Sequence, residues 1–588
     1  MPNIWDDCGK RRYCVRRTKI VATIGPACDH PEVLRAMIEA GMDVARLNLS
    51  HGDVETHRQR IHQIRQISQE LGRYTGIMLD TRGPEVRLGD LPAPLLLHEH
   101  DEFFLTQEDD VTGLSASVNW EGIYQLVKPG QILWIDDGNI VMRCIDQKGL
   151  TLRCEVVVGG TLQSRKKISS PDLTWPLDIL GDVDQAALRM GIEEDIDFVA
   201  ASFIRSAEDV LTIRKFFENY NSGVFLISKI ENRAGVDNLK EILALSDGVM
   251  VARGDLGVEL PPERVPWLQK EIITHANRLG IPVVTATQML ESMTHAPRPT
   301  RAEVSDVAHA IWDGSDSVML SAETASGAYP VESVKMMAKI AEDADDRPEY
   351  VSHGVHTVAR VADAVSQASA EMAESLGARA IITVTSTGYT ARMVSRARPE
   401  VPIIALSANL KVARQLQISW GVYSLHSPGV DGASDMAATA IGESADRGYV
   451  QDGDLVIFTA GVPAGIPGTT NLVRVETVSR PEVVGMGLGY GHPVTAPVRY
   501  PGANPPPRDE PYIAVAVDYT PDQHAFFEKA AAIIAERDGR TSDIAVVAVT
   551  LGIPAVVGVK NARTRWAEGQ IVTLDPLRGV IYKGRAQT

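Results

Sequence analysis

The sequence is poor in cysteine and has no long apolar run, and each shortage excludes a class of protein. Its 588 residues include five cysteines, an odd number with no CxxC pair: Cys8, Cys14, Cys28, Cys144 and Cys154. We therefore expect neither a disulfide framework nor a zinc site, and reduced thiols favour a cytoplasmic location. No run of about 18 apolar residues is present, so no transmembrane helix is expected.

Positive charge is also scarce. The chain has 58 Lys and Arg residues against 76 Asp and Glu, which gives a net charge of −18. That balance argues against nucleic acid or an anionic membrane as a partner, although it leaves room for a local basic pocket that binds phosphates. Residues 1–19 contain a basic cluster but no apolar segment, so we expect a solvated leader and not a secretory signal.

The chain is long enough for several folded units. Hydrophobic residues make up 44% and charged residues 23%, a balance typical of soluble globular proteins. At roughly 150 residues per domain, the length predicts about four domains.

Eight short, β-branched apolar runs alternate with segments of helical periodicity in the first 323 residues. The runs lie at residues 18–24, 43–49, 74–80, 197–203, 224–230, 248–252, 282–288 and 317–323. Apolar strands that alternate with amphipathic helices predict a parallel sheet, because the crossovers bury both of its faces. Eight such units predict an α/β fold whose first domain is a closed (β/α)8 barrel.

Three further regions interrupt or follow this pattern. Residues 88–167 alternate between apolar and polar positions, which predicts an all-β domain inserted after the third barrel strand as a lid over the barrel mouth. The barrel then comprises residues 1–87 and 168–345. Residues 346–478 predict an α/β domain with an open, mostly parallel sheet. Residues 479–588 predict a small β/α domain, including a strand at 512–517 and a helix at 522–535.

Charged side chains follow five of the eight barrel strands, at the carboxyl ends where barrel active sites form. Glu231 and Asp255 have the carboxylate oxygens that suit Mg²⁺. Lys229, Arg46 and Arg87 supply positive charge for an anionic, phosphorylated substrate. The set predicts a binding site at the barrel mouth.

Several segments resemble pyruvate kinases. They are TKIVATIGP (18–26), RLNLSHG (46–52), DTRGPEVR (80–87), ISKIE (227–231), RGDLG (253–257), ATQML (286–290) and PTRAEVSD (299–306). The resemblance runs from about residue 17 to residue 478. It implies transfer of a phosphoryl group from phosphoenolpyruvate to ADP, giving pyruvate and ATP, the last step of glycolysis.

The resemblance also implies roles for single residues. Mg²⁺ (or Mn²⁺) would bind Glu231 and Asp255, and Lys229 would neutralise the phosphoryl group in flight. The remaining substrate contacts would come from Arg46, Gly254 and Thr287. Protonation of the enolate would involve Thr287 together with the relay candidates Ser321 and Glu323.

The family uses K⁺ beside the phosphoryl group. Its ligand positions match Asn48, Ser50, Asp80 and the carbonyl of Thr81, and Glu85 is the residue type that accompanies potassium dependence. Nucleotide contacts would come from Asn48, His51, Arg87 and Lys166.

A hydroxyl-rich loop in the second α/β domain is a candidate anion site, because it precedes a helix and offers backbone N–H groups. It contains Thr385, Ser386, Thr387, Gly388, Tyr389 and Thr390. The matching family loop binds a sugar-phosphate or nucleotide effector, which implies allosteric activation by a phosphorylated metabolite. The family also implies a homotetramer.

Three places depart from the family: residues 166–171, Arg82 where Lys is common, and His309 with Ala322 in place of the usual Asn and Gly. Residues 166–171 lack the usual Gly-Val-Asn-Leu-Pro after the lysine, at a hinge of the lid. The tail, with DGRTSDIA (538–545), LGIPAVVG (551–558) and Asp575, resembles the swivelling phosphohistidine domain of phosphoenolpyruvate-utilising enzymes. Asp543 replaces the phosphorylated histidine, so we expect a structural role for the tail and not a carrier role.

Two alternatives stay open from sequence alone. Another Mg²⁺-dependent barrel enzyme of phosphoenolpyruvate or pyruvate, such as an aldolase or mutase, shares acidic metal ligands. A non-catalytic metabolite sensor is expected to have lost Lys229, Glu231 or Asp255, and all three are present.

Overall fold

The computed structural model describes residues 16–107, 113–170, 173, 175–347, 360–432, 435–462, 468–478, 481–489, 492–502 and 510–584. Most of the predicted leader, with Cys8 and Cys14, lies outside the described residues, and so does Pro171 of the lid hinge. No helix within the described ranges is long and apolar enough to cross a membrane.

The predicted barrel is confirmed. Its eight parallel strands are Lys19–Thr23, Val44–Asn48, Gly76–Asp80, Phe198–Ala201, Phe225–Ile230, Gly248–Ala252, Val283–Ala286 and Ser317–Leu320. The first strand pairs with both the second and the eighth, which closes the sheet. Almost every residue of these strands is buried, because helices cover the outside and side chains fill the interior.

Helices surround the barrel, and polar caps start several of them. The Asp53 carboxylate accepts a hydrogen bond from Thr56 N, and Thr300 and Glu303 form a capping box. The α-helices are Pro31–Glu39, Val54–Glu70, Asp182–Glu193, Ala207–Asn219, Arg233–Asp237, Leu239–Leu245, Arg253–Glu259, Val265–Leu279, Arg301–Trp312, Ala322–Ala325 and Pro330–Asp345. Short 3-10 helices span Pro26–Cys28, Pro262–Arg264 and Glu291–Thr294.

The inserted region between the third and fourth barrel strands is an all-β domain with its own apolar core. Its described residues form a seven-stranded sheet, a two-stranded sheet and one short helix, Ile123–Leu126. The strands are Val86–Arg87, Leu95–Leu97, Glu102–Thr106, Leu114–Ala116, Ile132–Ile135, Ile140–Lys148, Thr151–Val158, Gly160–Leu162 and Lys167–Ser169.

The next unit has the predicted open, mostly parallel sheet. Its five strands in chain order are Ala380–Val384, Ile403–Ser407, Val422–His426, Leu455–Gly461 and Thr470–Thr477, and the last is antiparallel to its neighbour. The spatial order is third, second, first, fourth, fifth. The helices are Val361–Leu376, Tyr389–Arg396, Leu410–Gln415 and Met436–Asp446, with 3-10 turns at Leu416–Ile418 and Val430–Gly432.

The described residues of the tail form an eight-stranded sheet with three short helices. The strands are Pro481–Val484, Met486–Leu488, Val494–Arg499, Ile513–Ala516, Ala532–Ala535, Ala555–Val557, Ile571–Asp575 and Val580–Lys583. The helices are His524–Phe527, Asp543–Leu551 and Ala562–Arg565, preceded by a 3-10 turn at Pro521–Gln523. The helix predicted over 522–535 is wrong, because its last four residues form a buried parallel strand. A short apolar run does not distinguish a strand from a helix.

The amino-terminal end of the barrel packs on the second α/β domain. Gly421 N donates to the Arg17 carbonyl at 2.9 Å, and Trp420 Nε1 donates to Asp345 Oδ1 at 3.2 Å. Lys19 Nζ donates to the Val422 carbonyl at 2.6 Å. The carboxyl ends of the strands are therefore left to face the lid.

Candidate active site

Lys229 lies in the centre of a buried charge network at the barrel mouth. Its Nζ is 2.9 Å from Asp80 Oδ1 and 3.0 Å from Glu231 Oε1, and it donates a hydrogen bond to Ser202 Oγ at 2.7 Å. Burial alone would lower the pKa of Lys229, but the carboxylates of Asp80 and Glu231 outweigh that effect and raise the pKa above its ordinary value. The ammonium is therefore a fixed positive charge.

Arg46 contacts the same carboxylate from the opposite side. Its Nε donates to Asp80 Oδ2 at 2.6 Å, and its Nη1 donates to Thr23 Oγ1 at 2.9 Å. Burial favours the protonated form of Asp80, but Arg46 and Lys229 together hold the pKa of Asp80 below its usual value. Two cations thus share one buried carboxylate, a contact that was not predicted from the sequence.

Glu231 and Asp255 are neighbouring carboxylates of the same network, and each contacts a lysine, Lys229 and Lys167 respectively. Glu231 Oε2 accepts a hydrogen bond from Phe203 N at 2.7 Å. Burial raises the pKa of Glu231 to about 7; Lys229 opposes that rise, and the neighbouring carboxylates of Asp255 and Asp80 add to it. A bound cation would relieve this repulsion, so the pair fits a divalent metal. The described residues contain no group of three or more acidic, His or Cys side chains that would bind a metal without further ligands.

Lys167 is a site residue that sequence reasoning missed. Its Nζ donates to Asp255 Oδ1 at 2.6 Å and lies 4.3 Å from the centre of the Phe203 ring. The predicted nucleotide contact, Lys166, instead lies with its Nζ 2.7 Å from Asp136 within the lid. Lys166 directly precedes the strand Lys167–Ser169, and the two adjacent side chains reach different carboxylates, Asp136 and Asp255.

Thr287 and Gly254 are brought together across the sixth and seventh strand ends. Gly254 N donates to Thr287 Oγ1 at 2.8 Å, and that hydroxyl donates to the Ala286 carbonyl at 2.7 Å. Thr287 has a φ of 68°, an unfavourable left-handed conformation for a β-branched residue. Arg253 stabilises it, because its Nη2 donates to the Thr287 carbonyl at 2.7 Å and the guanidinium also pairs with Asp306. Strain of this kind is concentrated at functional sites.

The relay candidates Ser321 and Glu323 lie beside the eighth strand. Glu323 is fully buried, and its carboxylate accepts hydrogen bonds from Ser321 N at 2.7 Å and Leu290 N at 3.1 Å. Burial raises the pKa of Glu323 despite these bonds. Ser321 Oγ is buried and has no hydrogen-bond partner among the described residues.

The predicted potassium ligands follow the second and third strands, which are adjacent. Asn48 and Asp80 are register partners, and Ser50 N donates to Asn48 Oδ1 at 3.1 Å. The Thr81 carbonyl accepts a hydrogen bond from Ser202 Oγ at 2.7 Å. These oxygens are a donor set that suits a hard cation. Ser202 directly follows the fourth strand, so the strand-end rule could have identified it.

The remaining predicted nucleotide contacts lie toward the outside of the mouth. His51 is exposed, and its backbone carbonyl is 2.9 Å from His57 Nε2. Arg87 is paired with Glu85, with 2.6 Å between Nη2 and Oε2. Its Nη1 donates to the Arg165 carbonyl at 2.9 Å.

The candidate effector loop connects a strand to the helix Tyr389–Arg396. Gly388 has a φ of 78°, and no side chain caps the helix. Ser386 and Thr387 are accessible, whereas Thr385 and Thr390 are buried. The hydroxyls of Thr390 and Thr470 are 2.7 Å apart. The accessible part of the loop could contact an anion.

In the tail, Asp543 is the first residue of the helix Asp543–Leu551. Arg578 of the tail forms an ion pair with Asp435 of the second α/β domain. This contact joins the two units.

Comparison with known proteins identifies the family. Models described as the barrel domain and the alpha/beta domain of pyruvate kinase match residues 15–334 and 363–476, and the mobile domain of PEP-utilising enzymes matches residues 508–579. The pyruvate kinase of Bacillus licheniformis is 42% identical over 585 residues, covering 97% of this chain and 100% of that protein. The Geobacillus stearothermophilus enzyme is also 42% identical, with coverage of 97% and 99%.

A solved structure agrees with these matches. The crystal structure of a pyruvate kinase from Cryptosporidium parvum superimposes with a TM-score of 0.73 at 37% identity, covering 79% of this chain and 96% of that one. The barrel model alone spans more than half of the sequence, and the bacterial relatives match almost from end to end. The chain therefore belongs to the pyruvate kinase family.

Proposed function

We propose that the chain transfers the phosphoryl group of phosphoenolpyruvate to ADP, giving pyruvate and ATP. The observation that carries this proposal is the buried Lys229 ammonium, which Asp80, Glu231 and Ser202 hold at the meeting point of the strand ends. Phosphoryl transfer needs positioning and electrostatic stabilisation more than covalent chemistry. A fixed cation in a water-poor site supplies that stabilisation.

The cationic side chains have separate tasks. Lys229 stays protonated, so it neutralises the phosphoryl group and does not act as a base. Arg46 binds the phosphoryl oxygens and remains oriented by Asp80 and Thr23. Gly254 and Asp255 complete the substrate contacts beside Thr287.

The acidic and oxygen-rich positions would hold the metals. Glu231 and Asp255 would bind Mg²⁺ or Mn²⁺, which supplies positive charge to the carboxylate and phosphoryl oxygens of the substrate. Asn48, Ser50, Asp80 and the Thr81 carbonyl would hold K⁺.

Protonation of the enolate requires a donor near Thr287. A threonine hydroxyl of ordinary acidity is a poor acid, so water has to connect Thr287 to Ser321 and Glu323. The Ser321 hydroxyl, which has no hydrogen-bond partner within the described part of the chain, would bind such a water.

Nucleotide binding is assigned to Asn48, His51, Arg87 and Lys166 at the rim. Arg87 and Lys166 are both paired with carboxylates, Glu85 and Asp136. Phosphate oxygens would replace these carboxylates as partners when ADP binds.

Regulation and assembly complete the proposal. The loop Thr385–Thr390 binds a phosphorylated metabolite that activates the enzyme, with Ser386 and Thr387 as the accessible contacts. The protein assembles as a homotetramer in the cytoplasm. Sedimentation velocity checks the tetramer, and a monomer at assay concentration would refute it.

One coupled assay for ADP-dependent pyruvate formation tests the function. An aldolase or mutase would act without ADP, and a sensor would not turn over. We expect Lys229→Met to abolish transfer while phosphoenolpyruvate still binds. Lys270→Met is the matched control, because Lys270 pairs with Asp313 on the outside of the barrel. Near-normal turnover of Lys229→Met, in protein that melts like wild type, would overturn the assignment.

A further inference from the structure

His57 is a buried histidine near the barrel mouth that none of the proposed catalytic steps uses. It lies in the first turn of the helix Val54–Glu70 and is 2% exposed, and its Nε2 is 2.9 Å from the carbonyl oxygen of His51. His51 itself is exposed and lies in the loop that follows the second barrel strand. A buried side chain of the helix therefore supports an exposed loop at the rim of the active site.

This contact fixes which ring nitrogen of His57 carries the proton. A carbonyl oxygen only accepts hydrogen bonds, so Nε2 is the donor. Burial lowers the pKa of His57, although the His51 carbonyl opposes that effect, and the ring is therefore neutral at neutral pH. Nδ1 is then an acceptor, and it is buried with no hydrogen-bond partner among the described residues.

The unsatisfied Nδ1 indicates that the ring is present for its donor. A buried acceptor without a partner lowers stability, so an apolar side chain would suit this position better if it only had to fill the core. Natural sequences break such local rules mostly where function requires it. The hydrogen bond from Nε2 to the loop is the role that the geometry of His57 offers.

The loop that His57 contacts, residues 49–52, is anchored by a side chain at each end. At its start, Arg82 Nε donates to the Leu49 carbonyl at 2.6 Å. At its end, Gly52 has a φ of 81° and lies against the His57 ring, so that a Cβ atom at Gly52 would be 3.5 Å from Nε2. Removal of the His57 donor would leave the start of the loop anchored and release its end.

We infer that His57 is a positioning residue whose Nε2–H holds the His51 backbone in the conformation that presents the His51 side chain to ADP. This role rests on the proposed function, in which His51 contacts the nucleotide. His57 is buried beneath the loop and acts through His51, not by touching the nucleotide. When the hydrogen bond is lost, the loop adopts other conformations, and the apparent affinity for ADP falls with the fraction of molecules whose loop is in place.

Isothermal titration calorimetry with ADP and Mg²⁺ tests this role without turnover. The amide nitrogen of Gln is as many bonds from the backbone as Nε2, whereas the amide nitrogen of Asn is as many bonds away as Nδ1. Only His57→Gln therefore keeps the donor in place. We expect His57→Gln to bind ADP within about twofold of wild type and His57→Asn to bind it roughly fivefold more weakly, the effect of losing one hydrogen bond.

His62 provides the matched controls, because it is on the same helix and is 61% exposed, with its Nε2 2.6 Å from Glu194. We expect His62→Gln and His62→Asn to bind ADP as wild type does. The KM for phosphoenolpyruvate should stay within about twofold of wild type in His57→Asn, because Arg46 and Lys229 are on barrel strands and not on the loop.

A double-mutant cycle shows whether His57 acts through His51. We expect His57→Asn to weaken ADP binding little in a His51→Ala background, so that the two losses are not additive. A residue that only stabilises the fold would give additive losses, together with a lower melting temperature and an unchanged ADP affinity per folded molecule.

Three results would overturn the inference while wild type still forms pyruvate from phosphoenolpyruvate and ADP. They are wild-type ADP affinity in His57→Asn, an equal loss of affinity in His57→Gln and His57→Asn, and additive losses in the cycle with His51→Ala. Failure of the proposed function is distinguishable, because wild type would then show no ADP-dependent pyruvate formation, and the role of His57 would fall with it. If His57→Asn does not fold, His57→Leu, which also lacks the donor, takes its place with the same expected loss.

Discussion

Replacement of Lys167 by methionine tests whether the lid controls the metal-binding carboxylate. Lys167 is on the last lid strand, Lys167–Ser169, and its ammonium is 2.6 Å from Asp255 Oδ1. The Lys167 side chain is 12% exposed and that of Asp255 34% exposed, so water screens the pair only in part. A divalent cation bound at Asp255 would be repelled by this ammonium and would compete with it for the carboxylate.

The size of the effect follows from the contacts. A hydrogen bond between charged groups contributes about 1.5–3 kcal/mol, and partial exposure of Asp255 reduces that figure. Contact between Lys167 and the Phe203 ring, at 4.3 Å, adds about 0.5–1 kcal/mol to the stability of the pair. A metal ion that binds Asp255 must first separate it from Lys167, at a net cost of about 1–2 kcal/mol. Lys167→Met is therefore expected to bind a divalent cation roughly tenfold more tightly than wild type.

The assay measures metal binding directly and without substrates. Titration with Mn²⁺, followed by the electron paramagnetic resonance signal of the free ion, gives the dissociation constant. Lys166→Met is a closely matched control, because the adjacent lysine pairs with Asp136 inside the lid and not with a metal ligand. If Lys167→Met binds Mn²⁺ no more tightly than wild type, or if Lys166→Met gives the same gain, the reasoning is refuted.

Three other predictions concern the interface, the monovalent cation and the tail. Burial lowers the pKa of Lys19 to about 8 from 10.5 despite Asp43 and Asp345, so the native state binds fewer protons than the unfolded state between these values. The free energy of unfolding of wild type, relative to that of Lys19→Met, should therefore rise by up to about 3 kcal/mol as the pH increases from 8 to 10.5. Urea denaturation measures this difference, and a difference between the two proteins that stays constant across the pH range would contradict the prediction. Replacement of K⁺ by a bulky organic cation should lower turnover, because the oxygens of Asn48, Asp80 and Thr81 would lose the cation that they bind. Equal activity in the two salts would contradict the proposed K⁺ site. A protein ending at residue 478 should keep its turnover number, since the tail has Asp543 where a carrier needs histidine, and a large loss measured in the coupled assay would show that the tail takes part in catalysis.

The barrel and most of its mouth could be predicted from the sequence for one physical reason. Parallel strands covered on both faces are continuously apolar, and the polar residue that ends each run is placed at the mouth by the chain direction alone. Lys229, Glu231 and Asp80 all follow this rule, and they contact one another. The same local rule extends to Ser202.

Lys167 could not be found in this way. Its partner Asp255 is 88 residues away and belongs to a different domain, so the contact depends on how the inserted lid returns to the barrel. Local patterns also failed for Ala532–Ala535, where an alanine- and isoleucine-rich run fits a helix or a strand equally well and only pairing with Ile513–Ala516 selects the strand. Nonlocal contacts decide both cases.

The two ends of the barrel show how charge balance separates structural ion pairs from candidate sites. At the amino-terminal end, Asp197 accepts a hydrogen bond from Ile77 N and pairs with Arg65 and Arg414, and Asp345 similarly accepts two backbone N–H groups. The protein's own N–H groups and arginines thus satisfy both carboxylates, and neither needs a bound ligand. At the mouth, by contrast, burial together with the carboxylates of Asp255 and Asp80 keeps the pKa of Glu231 raised, to about 7, although Lys229 contacts it. A carboxylate that the fold leaves with a raised pKa gains from a bound cation, so this difference predicts a cation site at the mouth and none at Asp197 or Asp345.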